Sequence, residues 1–262
     1  MTKGIACLAI GSALLALAPP ALGQSIAEQV GRVDDGKVRM SFATRPGVCG
    51  DGRGSISFNG GRGWHARHGR ADDWDWECEA GPARVVLRVR EGEVTEVDTY
   101  VGGRWRPATS RTVDLGTVPA EQAARYFMSL ARRSDRAADE AMFPALLADS
   151  ATVWPELVDL AKDGTLPKKT RTSAVFWLSQ EAADAATEGL SEIALDDSED
   201  WDVRKTAIFA LSQRDDEEGV PALIRIARTN DDPHVVRHAL FWLGQSEDPR
   251  AIELFEELLM KR

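Results

Sequence analysis

Several things are scarce or missing in this chain. Past residue 18 no apolar run approaches the roughly 20 residues that a membrane-spanning helix needs. There is no nucleophile elbow, no phosphate-binding loop and no dinucleotide fingerprint. The sequence therefore offers no recognisable catalytic set, and the expectation is a protein that is not an enzyme and needs no cofactor. Excess positive charge is absent as well. The formal net charge is −10, which argues against a nucleic-acid partner. Cysteine is sparse: there are three, and Cys7 falls within the first 23 residues.

Those first residues read as a leader. Lys3 supplies a positive start, residues 5–18 (IACLAIGSALLALA) an apolar core, and Ala21-Leu22-Gly23 a small-residue site after Pro19 and Pro20. This pattern predicts a secretory signal peptide over 1–23, cut before Gln24. No cysteine follows the cut directly, so a lipid anchor is not expected. The mature chain is expected to be soluble, in the periplasm or outside the cell. In an oxidising compartment the remaining even pair, Cys49 and Cys78, reads as a disulfide. The alternative is a tetrahedral metal set of Cys49, His65, His68 and Cys78, although its spacing matches no standard zinc module.

The rest divides by composition. Residues 24–116 hold 14 basic and 14 acidic side chains, whereas 117–262 hold 17 basic and 28 acidic. In the first part, Val38, Met40 and Phe42 alternate along residues 37–44, and Val85, Leu87 and Val89 along 83–90. Both are half-buried strands by period. Glu91-Gly92 turns the second into residues 93–101, a hairpin, and residues 55–58 are a shorter candidate. Gly102-Gly103 is expected to turn once more into Arg104-Trp105-Arg106. Together these predict a small antiparallel sheet, with residues 45–82 as a long loop held by the disulfide. Within that loop, DDWDWECE (72–79) stands beside RGWHARHGR (62–70), with Trp64, Trp74 and Trp76. It reads equally as a recognition loop or as a self-paired surface loop.

The second part repeats. Residues 174–180 are AVFWLSQ, 207–213 AIFALSQ and 239–245 ALFWLGQ, with a fainter AMFPALL from Ala141. Phe143, Phe176, Phe209 and Phe241 are spaced by 33, 33 and 32 residues. A fixed period in this range indicates stacked helix pairs, none of which can bury its apolar face alone. Asp232-Pro233 and Asp248-Pro249 are helix starts. Val203, Thr206, Ala207, Ala210 and Leu211 define one buried face, with Trp177 and Trp242 at the place of Ala210. Second helices are expected at 154–163, 186–195, 219–229 and 249–260, and a helix near 120–133 ahead of them could cap the stack.

Residues 231–259, with an Asp-Pro start, a Val-Arg pair, an Ala-Leu-Gly helix end and a second Asp-Pro, resemble HEAT-like repeats of the phycobilisome-lyase subtype. The resemblance covers roughly 135–262. It weakens at Pro144, which sits inside the first helix, and 24–116 resembles no recognised family. It implies an armadillo-like superhelix of antiparallel helix pairs, with second helices on the concave side and a role in protein–protein interaction. The fold expected is thus α+β: a disulfide-containing antiparallel β domain over 24–116, then an α–α solenoid of about four helix pairs over 117–262.

Three features are candidates for function. Asp159, Glu192, Arg225 and Glu257 recur at the repeat period on the second helices, a row that would suit a protein partner of basic character; solvated polar faces look the same in sequence. The phenylalanines at 176, 209 and 241 point away from the buried face, as an interaction stripe would, yet apolar stripes usually pack, and packing is the expectation. Gln180, Gln213 and Gln245 are expected to bond turn backbone. His234 and His238 stand at i, i+4 and could share a metal, but with no third ligand and no metalloprotease glutamate. HEAT-like hydroxylases bind iron through His-Glu pairs, and this chain has no His-Glu dipeptide. The leading expectation is an exported scaffold or adaptor. The alternative is a metal-dependent enzyme or lyase-like accessory factor using its histidines.

Overall fold

The computed structural model describes residues 24–58, 62–65, 78–105, 107–134, 136–181 and 184–260, with backbone alone for 62–65 and 184. The leader and most of the 62–77 stretch, with His68, Trp74 and Trp76, lie outside the described residues.

After a short helix α1 (Ile26–Val30), eight strands follow: β1 (Gly36–Phe42), β2 (Cys49–Gly50), β3 (Ser55–Phe58), β4 (Arg62–His65), β5 (Glu79–Ala80), β6 (Ala83–Arg90), β7 (Glu93–Val101) and β8 (Thr112–Thr117). The alternation over 37–44 and 83–90 does what it predicts. Val38, Met40, Phe42, Val85, Leu87 and Val89 are all buried on one face. The β6–β7 hairpin turns through Glu91 and Gly92, both at positive φ (54° and 75°), the arrangement that suits the twist of a two-residue turn. Strand order is β7-β6-β1-β8 in one sheet and β4-β3-β2-β5 in a second.

Three expectations are corrected here. Residues 104 and 105 form no strand. Trp105 instead lies across the sheet's polar face, with the guanidinium of Arg39 4.9 Å and that of Arg84 5.9 Å from its ring centre. The fourth strand is β8, and it runs parallel to β1, so the sheet is mainly rather than wholly antiparallel. Arg39 anchors it through Asp114 at 2.6 Å. Nor is 45–82 simply a loop: it carries β2 to β5, and the Cys49–Cys78 disulfide ties β2 beside β5 with Cα atoms 5.3 Å apart.

Nine further helices complete the described chain. After α2 (Ala120–Arg133) come α3 (Ala138–Leu147), α4 (Trp154–Lys162), α5 (Lys168–Ser179), α6 (Asp184–Leu195), α7 (Trp201–Ser212), α8 (Asp216–Thr229), α9 (Pro233–Leu243) and α10 (Pro249–Met260). They form two layers. In the first, α3, α5, α7 and α9 lie side by side; in the second, α4, α6, α8 and α10 do. Starts follow the sequence signals. Asp232 accepts the His234 N–H at 2.8 Å, and Asp248 accepts that of Arg250 at 2.8 Å. Val203, Ala207, Ala210 and Leu211 are buried as expected, while Thr206 is half-buried and donates back to the Asp202 carbonyl. Pro144 stays within α3.

Two buried arginines lock successive units. Arg171 on α5 reaches the turn before α7, pairing with Glu199 at 2.5 Å and with Asp200. One repeat later Arg204 on α7 pairs with Asp197 at 2.8 Å and with Asp232 at 3.3 Å, and donates to the Ala194 carbonyl. Both direct guanidinium donors to the turns that space the helices.

The sheet packs on the solenoid. Phe42 meets Phe127 of α2, and Phe58 meets Phe143 of α3, at ring separations of 6.1 and 5.8 Å. Main-chain bonds join Arg45 to Leu147 and Asp149 to Ala43, both at 2.9 Å. The Glu140 carboxylate accepts the Val97 N–H at 2.7 Å, and its pKa is raised by burial against that strand. One continuous apolar core therefore runs from α1 to α10, and α2 is covered by the sheet rather than ending the stack.

Two stability outcomes follow. Replacing Cys49 and Cys78 together by Ala should lower unfolding free energy by about 3–4 kcal/mol, as a denaturant midpoint measures it, since the bridge closes a 29-residue separation. Arg171→Met should cost about 3–5 kcal/mol, because Glu199 is only 5% exposed and would be left buried without its cation. Arg204→Met should cost less, about 1–3 kcal/mol, because Asp197 is 80% exposed and stays hydrated. Equal losses for the two would contradict the clamp.

Candidate functional site

The row of Asp159, Glu192, Arg225 and Glu257 occupies α4, α6, α8 and α10, one residue per second-layer helix. Basic neighbours are interleaved with it. Lys162 approaches Glu192 at 3.6 Å, Glu188 meets Arg225 at 3.2 Å and Arg228 meets Glu257 at 2.6 Å. Each pair bridges consecutive helices, so this face carries alternating rather than single-sign charge. Exposed pairs of this kind contribute about 0–1 kcal/mol each.

The first layer differs. Packing is the expectation for Phe176, Phe209 and Phe241, and the structure does not bear it out; only Phe143, one repeat earlier, is buried, stacked on Trp177 at 5.1 Å beneath the sheet. Phe176, Phe209 and Phe241 are 42, 42 and 54% exposed. The reason is the number of directions a first-layer helix must fill. Small residues such as Ala207 and Ala210 let neighbours pack closely on either side, and the second layer covers the inner face. The phenylalanines point the remaining way. Each is propped on indole: Phe176 edgewise on Trp177 at 4.9 Å, Phe241 edgewise on Trp242 at 5.1 Å, and Phe209 tilted against Trp242 at 5.0 Å. The rings are thus held in a row with one edge in solvent.

Turn backbone is the expected partner of the glutamines, but two of the three, Gln180 and Gln213, donate to the preceding serine. Gln180 donates to Ser179 at 3.0 Å, and Ser179 donates to the Phe176 carbonyl at 2.6 Å. Gln213, Ser212 and Phe209 repeat this relay at 3.2 and 2.7 Å. Beyond the row, where the C-terminal ends of α7 and α9 meet the start of α8, lies a pocket of about 260 Å³ bordered by Gln213, Asp216, Trp242 and Gln245; none of the three rings lines it. Around the aromatics the exposed cations are Lys168, Lys205 and Arg237, answered by Asp202, which pairs with Lys168 at 2.7 Å. This is a locally basic, aromatic surface on an acidic chain.

His234 and His238 flank Trp201, with ring separations of 6.0 and 5.8 Å. His238 Nε2 accepts the indole N–H of Trp242 at 3.3 Å, which occupies the atom a metal would take. Among the described residues no group of three His, Cys, Asp or Glu side chains could hold a metal. Cys49 and Cys78 are joined to each other, and the His65 and Trp64 side chains lie outside the described residues.

Residues 187–262 match the family model for HEAT repeats, a span that takes in most of α6 and all of α7 to α10. No curated protein matches the chain. HEAT repeats typically serve protein interaction and not catalysis, and among the described residues no helix is long and apolar enough to cross a membrane.

His238 supplies a test of the aromatic arrangement. Burial first, and Lys205 second, hold its pKa below the usual 6.5. The unfolded chain therefore takes up a proton near pH 6.5 that the folded chain refuses, and stability falls as pH drops through that value. Thermal unfolding of the intact protein should show this loss between about pH 7.5 and 5.5, and His238→Gln, which keeps an acceptor for Trp242, should flatten it. An unchanged pH dependence in the variant would place the proton elsewhere.

Proposed function

We propose that the protein is an exported, non-enzymatic interaction scaffold that binds a protein partner along its first-layer helices. The single observation that carries this reading is the row of Phe176, Phe209 and Phe241, exposed on three successive first-layer helices and braced by tryptophan. Aromatic side chains presented rigidly to solvent bury large area at small cost in conformational entropy, and for that reason they anchor interfaces. The HEAT match supports the broad role. The Cys49–Cys78 disulfide supports an oxidising compartment, in keeping with the leader-like residues 1–23. The second-layer row centred on Glu192 and Arg225 is the weaker choice of surface, because its charges are matched by neighbours on adjacent helices.

A photo-crosslinking amino acid at position 209 or 176, in the full chain expressed in its own cells, should yield a discrete protein adduct. The same group at position 159 or 192 should yield little. Adducts formed only from 159 and 192 would move the interface to the second layer. N-terminal sequencing of the mature protein should begin at Gln24; an intact leader in the cytoplasm would refute export.

A further inference from the structure

We infer that the aromatic row receives an extended, acidic, proline-rich segment of a partner protein in the polyproline II conformation, an inference that rests on the first-layer interface proposed above. The first ground is the side-by-side packing of the helices that carry the rings. Phe176, Phe209 and Phe241 come from α5, α7 and α9, which pack side by side. Packed helices stand about 8–10 Å apart. Polyproline II completes a turn of three residues in about 9.3 Å, so every third side chain falls on one edge at that interval. A β-strand repeats each face at about 6.6–6.8 Å and drifts out of step with the rings after one interval. A segment of about seven polyproline II residues spans all three rings.

The second observation is chemical. Pyrrolidine rings pack flat against aromatic edges, and aromatic-lined grooves are how proline-rich segments are recognised. Polyproline II has no internal hydrogen bonds, so its carbonyls require donors from the binding surface. Gln213 and Gln245 stand one helical turn beyond Phe209 and Phe241 and offer side-chain amides to those carbonyls.

The third observation is charge. Lys205 and Arg237 lie one turn before Phe209 and Phe241, hence on the same face of consecutive helices. They too are one repeat apart and meet every third residue of the same segment. Within a chain of formal charge −10 this basic strip selects an acidic partner, first by speeding encounter and then by fixing register.

The experiment uses the full mature chain and synthetic peptides of about twelve residues, followed by tryptophan fluorescence. A peptide of Pro-Pro-Glu triplets should bind saturably, at least about tenfold more tightly than Gly-Ser-Glu triplets of equal charge. Phe209→Ser should weaken binding about tenfold with its helix content unchanged by circular dichroism. Lys205→Glu, at a solvent-exposed position, should weaken Pro-Pro-Glu and improve Pro-Pro-Lys. Equal binding of the proline and glycine peptides would mean that charge alone is recognised and would overturn the inference. So would unchanged binding in Phe209→Ser. If no triplet peptide binds while crosslinks from position 209 persist, the first-layer interface stands and its proline-rich occupant falls. If those crosslinks are also missing, the interface itself falls.

Discussion

Everything here depends on a register between helix pairs that cannot bury themselves. A single two-helix unit leaves its apolar side open, and only the next unit closes it. Hydrophobic stacking is non-directional and would tolerate sliding. The buried guanidiniums of Arg171 and Arg204 supply direction. Each reaches from one first-layer helix to the acidic turn that begins the next, Arg171 to Glu199 and Asp200 and Arg204 to Asp232, while Arg204 also holds the turn before its own helix through Asp197 and the Ala194 carbonyl. With register fixed at one clamp per interval, residues one repeat apart fall into straight rows. The ring row of Phe176, Phe209 and Phe241 is a consequence of that order.

The same order decides which face has something to offer. On the second layer, rows of opposite sign sit within salt-bridge distance of each other across helices, and the surface neutralises itself. On the first layer the rows are aromatic and basic, and the aromatic row has no described partner above it. At the other end, the sheet seals α2 and α3 through Phe42, Phe58 and Phe143, and this removes Phe143 from the row. The β part thereby sets where the exposed stripe starts.

Much of this was legible in the sequence. The helix pairs were written in the 33-residue interval, in the Asp-Pro starts and in the 3.6-residue period, all of which are local signals. The β6–β7 hairpin was equally local, since Glu91-Gly92 names its own turn. What escaped was non-local or disguised. Strand β8 (TVDLGT) has little alternation and finds β1 in parallel across more than 70 residues of chain, through Arg39 and Asp114. Strands β2 and β5 are two residues each, too short to carry a period. Arg171 and Arg204 look like surface residues, and the acidic turns look like solvated loops. Only their joint recurrence, an arginine followed about 28 residues later by an aspartate, hints at a clamp. The phenylalanines misled for the opposite reason: apolar stripes usually pack, and nothing local says that the third side of a first-layer helix has no neighbour.

Solvent access to those rings is the most direct measure of the account. Hydroxyl-radical footprinting of the native protein, read by mass spectrometry, should show oxidation at Phe176, Phe209 and Phe241 and protection of Phe143. Protection of all four alike would mean that the stripe is packed away and that the first-layer surface is not what the rows imply.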